Sequence, residues 1–106
     1  MDANRDADRW GALADGTRLA IVARLSDGPQ AVGQLAAGLP VSRSAVSQHL
    51  KILKDAGLVE DTAAGTRRIY RLNPAALAAQ RDLLDTYWQR ALAGYVDAAE
   101  APTKEE

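Results

Sequence analysis

Apolar residues recur at helical spacing along most of the chain, and glycine, proline or asparagine marks where each run stops. Ala7, Trp10, Leu13 and Ala14 predict a first helix over residues 5–16, interrupted by Asp15-Gly16. Asp15 is placed to cap a second helix, TRLAIVARLS, which turns Leu19, Ile21, Val22 and Leu25 toward a core and ends at DGP. A short helix follows around Val32–Ala37, with Gly38 as its C′ residue and Pro40 as a stop. Ser42 is a good N-cap for a fourth helix that runs to Ala56, and Val41 and Val46 form a hydrophobic staple across its start. Gly57 ends it. The stretch LVEDTAAGTRRIYRLN then reads as two short strands joined by a turn around Ala64-Gly65. Asn73-Pro74 opens a long last helix over residues 74–99, stapled by Leu72 and Leu77, and residues 100–106 read as a frayed tail.

The order α-α-α-α-β-β-α predicts a mainly α protein with a small β-hairpin. It is a single winged helix-turn-helix domain over residues 1–106, with the helix-turn-helix at 31–56 and the wing at 58–72. A chain of 106 residues suits one hydrophobic core. The absence of cysteine excludes disulfides, thiolate ligands and thiol redox sensing. The polar start MDANRDADRW does not read as a secretory signal, and the longest apolar run, LAIVA, is too short for a bilayer. The expectation is a cytoplasmic protein with no membrane partner.

A net charge of −1 argues against a generic nucleic-acid binder, but the charge is unevenly placed. Residues 41–72 carry Arg43, Lys51, Lys54, Arg67, Arg68 and Arg71 against three acids, whereas both flanking segments are net acidic. On a helical wheel, Arg43, Ser44, Ser47, Gln48, Lys51, Lys54 and Asp55 share an arc of roughly 140°. Ala45, Val46, Leu50, Ile52, Leu53 and Ala56 lie opposite. An ordinary amphipathic surface helix would show the same division. The composition of the polar face is what suits base edges: Arg for guanine, Gln for adenine, Ser for either. His49 falls within the apolar arc and reads as a packed, hydrogen-bonded residue, with a phosphate contact as the alternative. The arginines beyond Gly65 suit a wing lying along the phosphate backbone, or a charged edge strand kept soluble.

Together LADGTRLAIVARL, VGQLAAGLPVSRSAVSQHLKILKDAGLV and GTRRIYRLN resemble the ArsR/SmtB family of bacterial winged-helix repressors over roughly residues 9–73. The resemblance implies a homodimer that binds double-stranded DNA at an inverted-repeat operator. It places DNA contacts at Ser42, Arg43, Ser44, Ser47 and Gln48, at Lys51 and Lys54, and at Arg67 and Arg68 of the wing. It also implies dimerisation through the first and last helices, with Trp10, Leu13, Leu84, Trp88, Ala91 and Tyr95 at the interface. Many members release DNA on binding a metal. Here the short helix VGQLAAG has no soft ligand, and the last helix offers Asp82, Asp85, Asp97 and Glu100 without a histidine. The chain therefore looks closest to the cysteine-free, non-metal-sensing subgroup, with no cofactor. Trp10 and Trp88 leave room at the interface for a hydrophobic small-molecule inducer of unknown identity.

The alternative is a winged-helix module for protein–protein association, which would present an apolar recognition face. An enzyme is not expected: the chain has no cysteine, a single histidine and no Gly-rich phosphate loop after a strand.

Overall fold

The computed structural model describes residues 3–100, with side chains from residue 7 to residue 96. The elements run α1 (Ala3–Leu13), α2 (Gly16–Leu25), β1 (Gln30–Ala31), α3 (Val32–Ala37), α4 (Arg43–Asp55), β2 (Val59–Ala64), β3 (Arg67–Leu72) and α5 (Pro74–Glu100). Of the tail expected at 100–106, Glu100 closes α5 and residues 101–106 lie outside the described residues.

Local signals set most of the helix ends. The Asp15 carboxylate accepts from the Thr17 and Arg18 amides at 2.8 and 3.1 Å, which begins α2. The Ser42 hydroxyl accepts from the Ala45 amide at 3.0 Å, and Asn73 Oδ1 accepts from the Ala75 and Ala76 amides. Gly57 has φ 81° and ends α4 in a Schellman motif. Its amide bonds the Lys54 carbonyl, and the Leu58 amide bonds the Leu53 carbonyl. Leu53 and Leu58 are both fully buried, the apolar contact that accompanies this motif.

Gly38 differs from expectation. Its φ of −102° is open to any residue, so no left-handed cap is formed. A Cβ there would meet only the Arg24 guanidinium, the far end of a flexible side chain that can move aside.

The core gathers Ile21 from α2, Leu35 from α3, Val46, Leu50 and Leu53 from α4, and Leu58. Burying each such side chain is worth about 1.5–3 kcal/mol. Two apolar residues expected inside lie outside. Leu19 is 51 % exposed because, at about 100° per residue, it sits roughly 160° around α2 from Ile21. Ile52 is 44 % exposed, at the border of the apolar arc rather than within it.

The wing is three-stranded rather than a simple hairpin. Strand order is β1-β3-β2, all antiparallel, with Gln30 opposite Tyr70 and Ala31 opposite Ile69. β2 and β3 pair from Val59–Leu72 to Ala64–Arg67, leaving a two-residue loop, Gly65-Thr66. Gly65, at φ 66°, supplies the left-handed first position that such a tight loop requires. β1 ties the wing back to the entrance of α3. A two-residue strand carries no periodicity, so only its partner β3 defines it.

Beyond Gln80, α5 leaves the core. Leu84, Tyr87, Trp88, Leu92, Tyr95 and Val96 are between 44 % and 75 % exposed, a contiguous apolar stripe of the kind that marks an association surface. Ala91 lies exposed within it. Trp10 on α1 is half-buried, and Leu13 packs against the core. No helix among the described residues is long and apolar enough to cross a membrane.

Candidate nucleic-acid interface

The N-terminal half of α4 projects from the core with its polar face outward. Val46 and Leu50 are fully buried and anchor the inner side, so Arg43, Ser44, Ser47, Gln48 and Lys51 are all exposed on the outer one. The side chains of Arg43, Ser44, Ser47 and Gln48 have no polar partner among the described residues, and neither does Arg67. Nothing among the described residues satisfies these donors and acceptors. Ser42 is different, because its hydroxyl is engaged as the helix cap.

Arg43 stands beside α3: a Cβ on Gly33 would be 3.7 Å from its Nη1. Together with Ser47 it faces an open cleft of about 590 Å³, bounded on the other side by Arg67 and Arg68 of the wing. Three arginines from two elements, Arg43 of α4 and Arg67 and Arg68 of β3, thus border one concavity. The short α3, through Gly33 and Gln34, forms another part of its wall.

Four basic residues of α4 and the wing are paired with carboxylates. Lys51 meets Asp55 one turn away at 3.0 Å, both well exposed, a geometry that contributes little in water. Arg71 and Glu60, opposite each other across β2 and β3, approach to 3.3 Å. Lys54 Nζ and Arg68 Nε each lie 2.8 Å from Asp61, on its Oδ1 and Oδ2 respectively. The side chain of Asp61 is only 6 % exposed. Hydrogen bonds from Lys54 and Arg68 hold its carboxyl below the usual carboxylate range, and the Arg68 guanidinium is raised in turn. Asp61 was not singled out by sequence reasoning, because nothing local connects it with Lys54 and Arg68; the hairpin register and the turn at Gly57 bring the three together.

His49 points inward. Arg18 Nη1 lies 3.1 Å from His49 Nδ1, while Arg18 Nε donates to the Ala12 carbonyl. A guanidinium has no acceptor, so His49 Nδ1 accepts and the ring carries its proton on Nε2. Among the described residues no group of three His, Cys, Asp or Glu side chains could hold a metal ion.

A helix with an unpartnered polar face, preceded by a short helix and followed by a basic hairpin that completes a three-stranded wing, defines a winged helix-turn-helix protein of the DNA-binding class. Residues 15–61 match the family described as "Bacterial regulatory protein, arsR family". The chain is 65 % identical over 96 residues to the HTH-type transcriptional regulator Rv2034 of Mycobacterium tuberculosis, covering 90 % of each chain. It is 38 % identical over 78 residues to the arsenical resistance operon repressor of Escherichia coli, covering 73 % of this chain and 67 % of that one. The solution structure of a homodimeric winged helix-turn-helix DNA-binding domain from Mycobacterium bovis superposes with TM-score 0.66 at 30 % identity, covering 93 % of this chain and 88 % of that one. The protein belongs to the ArsR family of transcriptional regulators.

Proposed function

We propose that the protein is a homodimeric repressor that recognises an inverted-repeat operator through α4. The observation that carries this reading is the outer face of α4, where Arg43, Ser44, Ser47 and Gln48 form an exposed row of short or planar hydrogen-bonding groups without partners among the described residues. Their chemistry matches base edges in a major groove, where Arg reads guanine and Gln reads adenine. Lys51 and Arg67 would lie along phosphates and set the register, with Lys54 and Arg68 beside them but paired with Asp61, and the free amides at the start of α4, including that of Ser42, favour phosphate as well. A protein–protein module would need an apolar face here.

Dimerisation follows from the apolar stripe of α5, which a single chain leaves in water. Leu84, Trp88, Ala91 and Tyr95 would pack against the partner, with Trp10 and Leu13 of α1 beside them. The dimer would set two copies of α4 about 34–36 Å apart, one helical turn of DNA. A hydrophobic inducer would meet the pocket of about 290 Å³ lined by Leu84, Tyr87, Trp88 and Ala91.

The test is titration of duplexes carrying inverted repeats from the gene's own promoter at several salt concentrations. Preference for one repeat and a steep fall of affinity with salt are expected. A shallow slope with no preferred sequence would sink the reading.

A further inference from the structure

We infer that Asp61 is a positioning residue that clamps the wing to the end of α4 and withholds Lys54 and Arg68 from the DNA backbone, trading general affinity for sequence discrimination. This rests on α4 and the wing being the DNA-binding surface.

The geometry is a three-element junction. Lys54 belongs to the last turn of α4, Asp61 to β2 and Arg68 to β3. Each carboxylate oxygen takes one cation at 2.8 Å, so neither partner displaces the other. Asp61 opposes Tyr70 in the hairpin, which puts Arg68 on the diagonal position of the same face, within reach of a long side chain. The exposure is unequal: Asp61 is nearly covered, whereas Lys54 and Arg68 are 49 % and 54 % exposed. The cations reach inward to a carboxylate that has almost no water of its own. Arg67, next in sequence, and Arg43 across the cleft have no such partner among the described residues.

Two consequences follow. The wing is fixed against α4 before any ligand arrives, which removes part of the ordering cost of binding. Two of the middle segment's cations are also largely neutralised within the protein. Phosphate contact supplies the sequence-independent share of affinity, so this weakens binding to any duplex more than it weakens base reading.

The experiment compares wild type, Asp61→Asn and the charge-matched control Asp27→Asn, at an exposed carboxylate with no ion pair among the described residues. Binding to a random duplex and to the preferred operator is followed from about 50 to 200 mM salt. Freeing two cations should steepen the salt slope by about 1.8, equivalent to roughly 12-fold more change in Kd across that fourfold interval. Random-sequence affinity should rise in Asp61→Asn and the operator-to-random ratio should fall, while Asp27→Asn leaves both unchanged. Lys54→Gln should leave the slope nearly unaltered in wild type but lower it by about 0.9 in the Asp61→Asn background. A general loss of folding would not produce that dependence on background. An unchanged slope and ratio in Asp61→Asn would overturn the inference. Hydrogen exchange of the free protein separates the two readings. Wing amides from Thr62 to Arg68 should exchange faster in Asp61→Asn, and unchanged exchange would refute the clamp. If wild type failed to bind any duplex, the DNA reading would fall, and with it the trade of affinity for discrimination.

Discussion

Arg18 Nη1 sits 3.1 Å from His49 Nδ1, so the chain's only histidine fastens α4 to α2 instead of standing on the outer face of α4. Arg18 is itself held by its Nε bond to Ala12 and lies in the turn that Asp15 caps. One hydrogen-bonded chain therefore runs from the end of α1 through α2 to α4. His49→Ala should cost about 1–2 kcal/mol in urea unfolding, from a lost bond to a charged group and from half-buried packing. Operator affinity at temperatures where the variant is folded should change little. Intact stability with abolished binding would show instead that the histidine contacts DNA.

Ser42 has a structural task that its place beside the recognition face conceals. Ser42→Ala should lower stability by about 1 kcal/mol and Ser42→Gly by only a few tenths, as expected for an N-cap. Urea midpoints with an unchanged m-value would check this.

Arg43 and Arg67 border the same cleft from different elements and should fail differently. Arg43→Ala is expected to weaken binding and relax preference at one position per half-site, costing about 1–3 kcal/mol. Arg67→Ala should weaken all duplexes alike and lower the salt slope by about 1. Competition with single-base variants of the operator distinguishes them, and identical behaviour would refute the division of roles.

Trp88 is 58 % exposed in the single chain, so Trp88→Glu should leave the fold intact. A charge in the middle of the α5 stripe should disfavour a dimer whose interface is apolar. Sedimentation should then show a monomer with a native circular-dichroism spectrum and much weaker operator binding. A variant that remains dimeric would place the interface elsewhere.

Acid should loosen the protein at two identified carboxylates. Asp15 lies below its ordinary value chiefly because the Arg18 amide donates to it, and Asp61 because Lys54 and then Arg68 do. A lowered native value means that the folded state resists protonation. The stabilisation is therefore fully present above the ordinary aspartate value near 4 and is lost as pH falls through the native one. Asp15→Asn keeps the cap but removes the titration, so its stability should fall less steeply below about pH 4 than that of wild type. Denaturant melts at successive pH values would measure the difference.

Local rules determined much of this molecule from the sequence by itself. Asp15, Ser42 and Asn73 cap the helices they were expected to cap, and Gly57 and Gly65 occupy the left-handed positions that their turns need. The division of α4 into a buried and a polar face follows from helical period and side-chain chemistry, both present in thirteen consecutive residues. Tertiary structure decided what depends on residues far apart in the chain. β1 exists because β3 offers it an edge, Leu19 lies outside because no described element covers that side of α2, and the Arg24 guanidinium of α2 reaches Gly38 at the end of α3. Lys54, Arg67 and Arg68 look alike as letters in a sequence. Only the packing of the wing against α4 leaves Arg67 without a carboxylate partner among the described residues and joins the other two to Asp61, since an ion pair is fixed by distance in space and not by spacing along the chain.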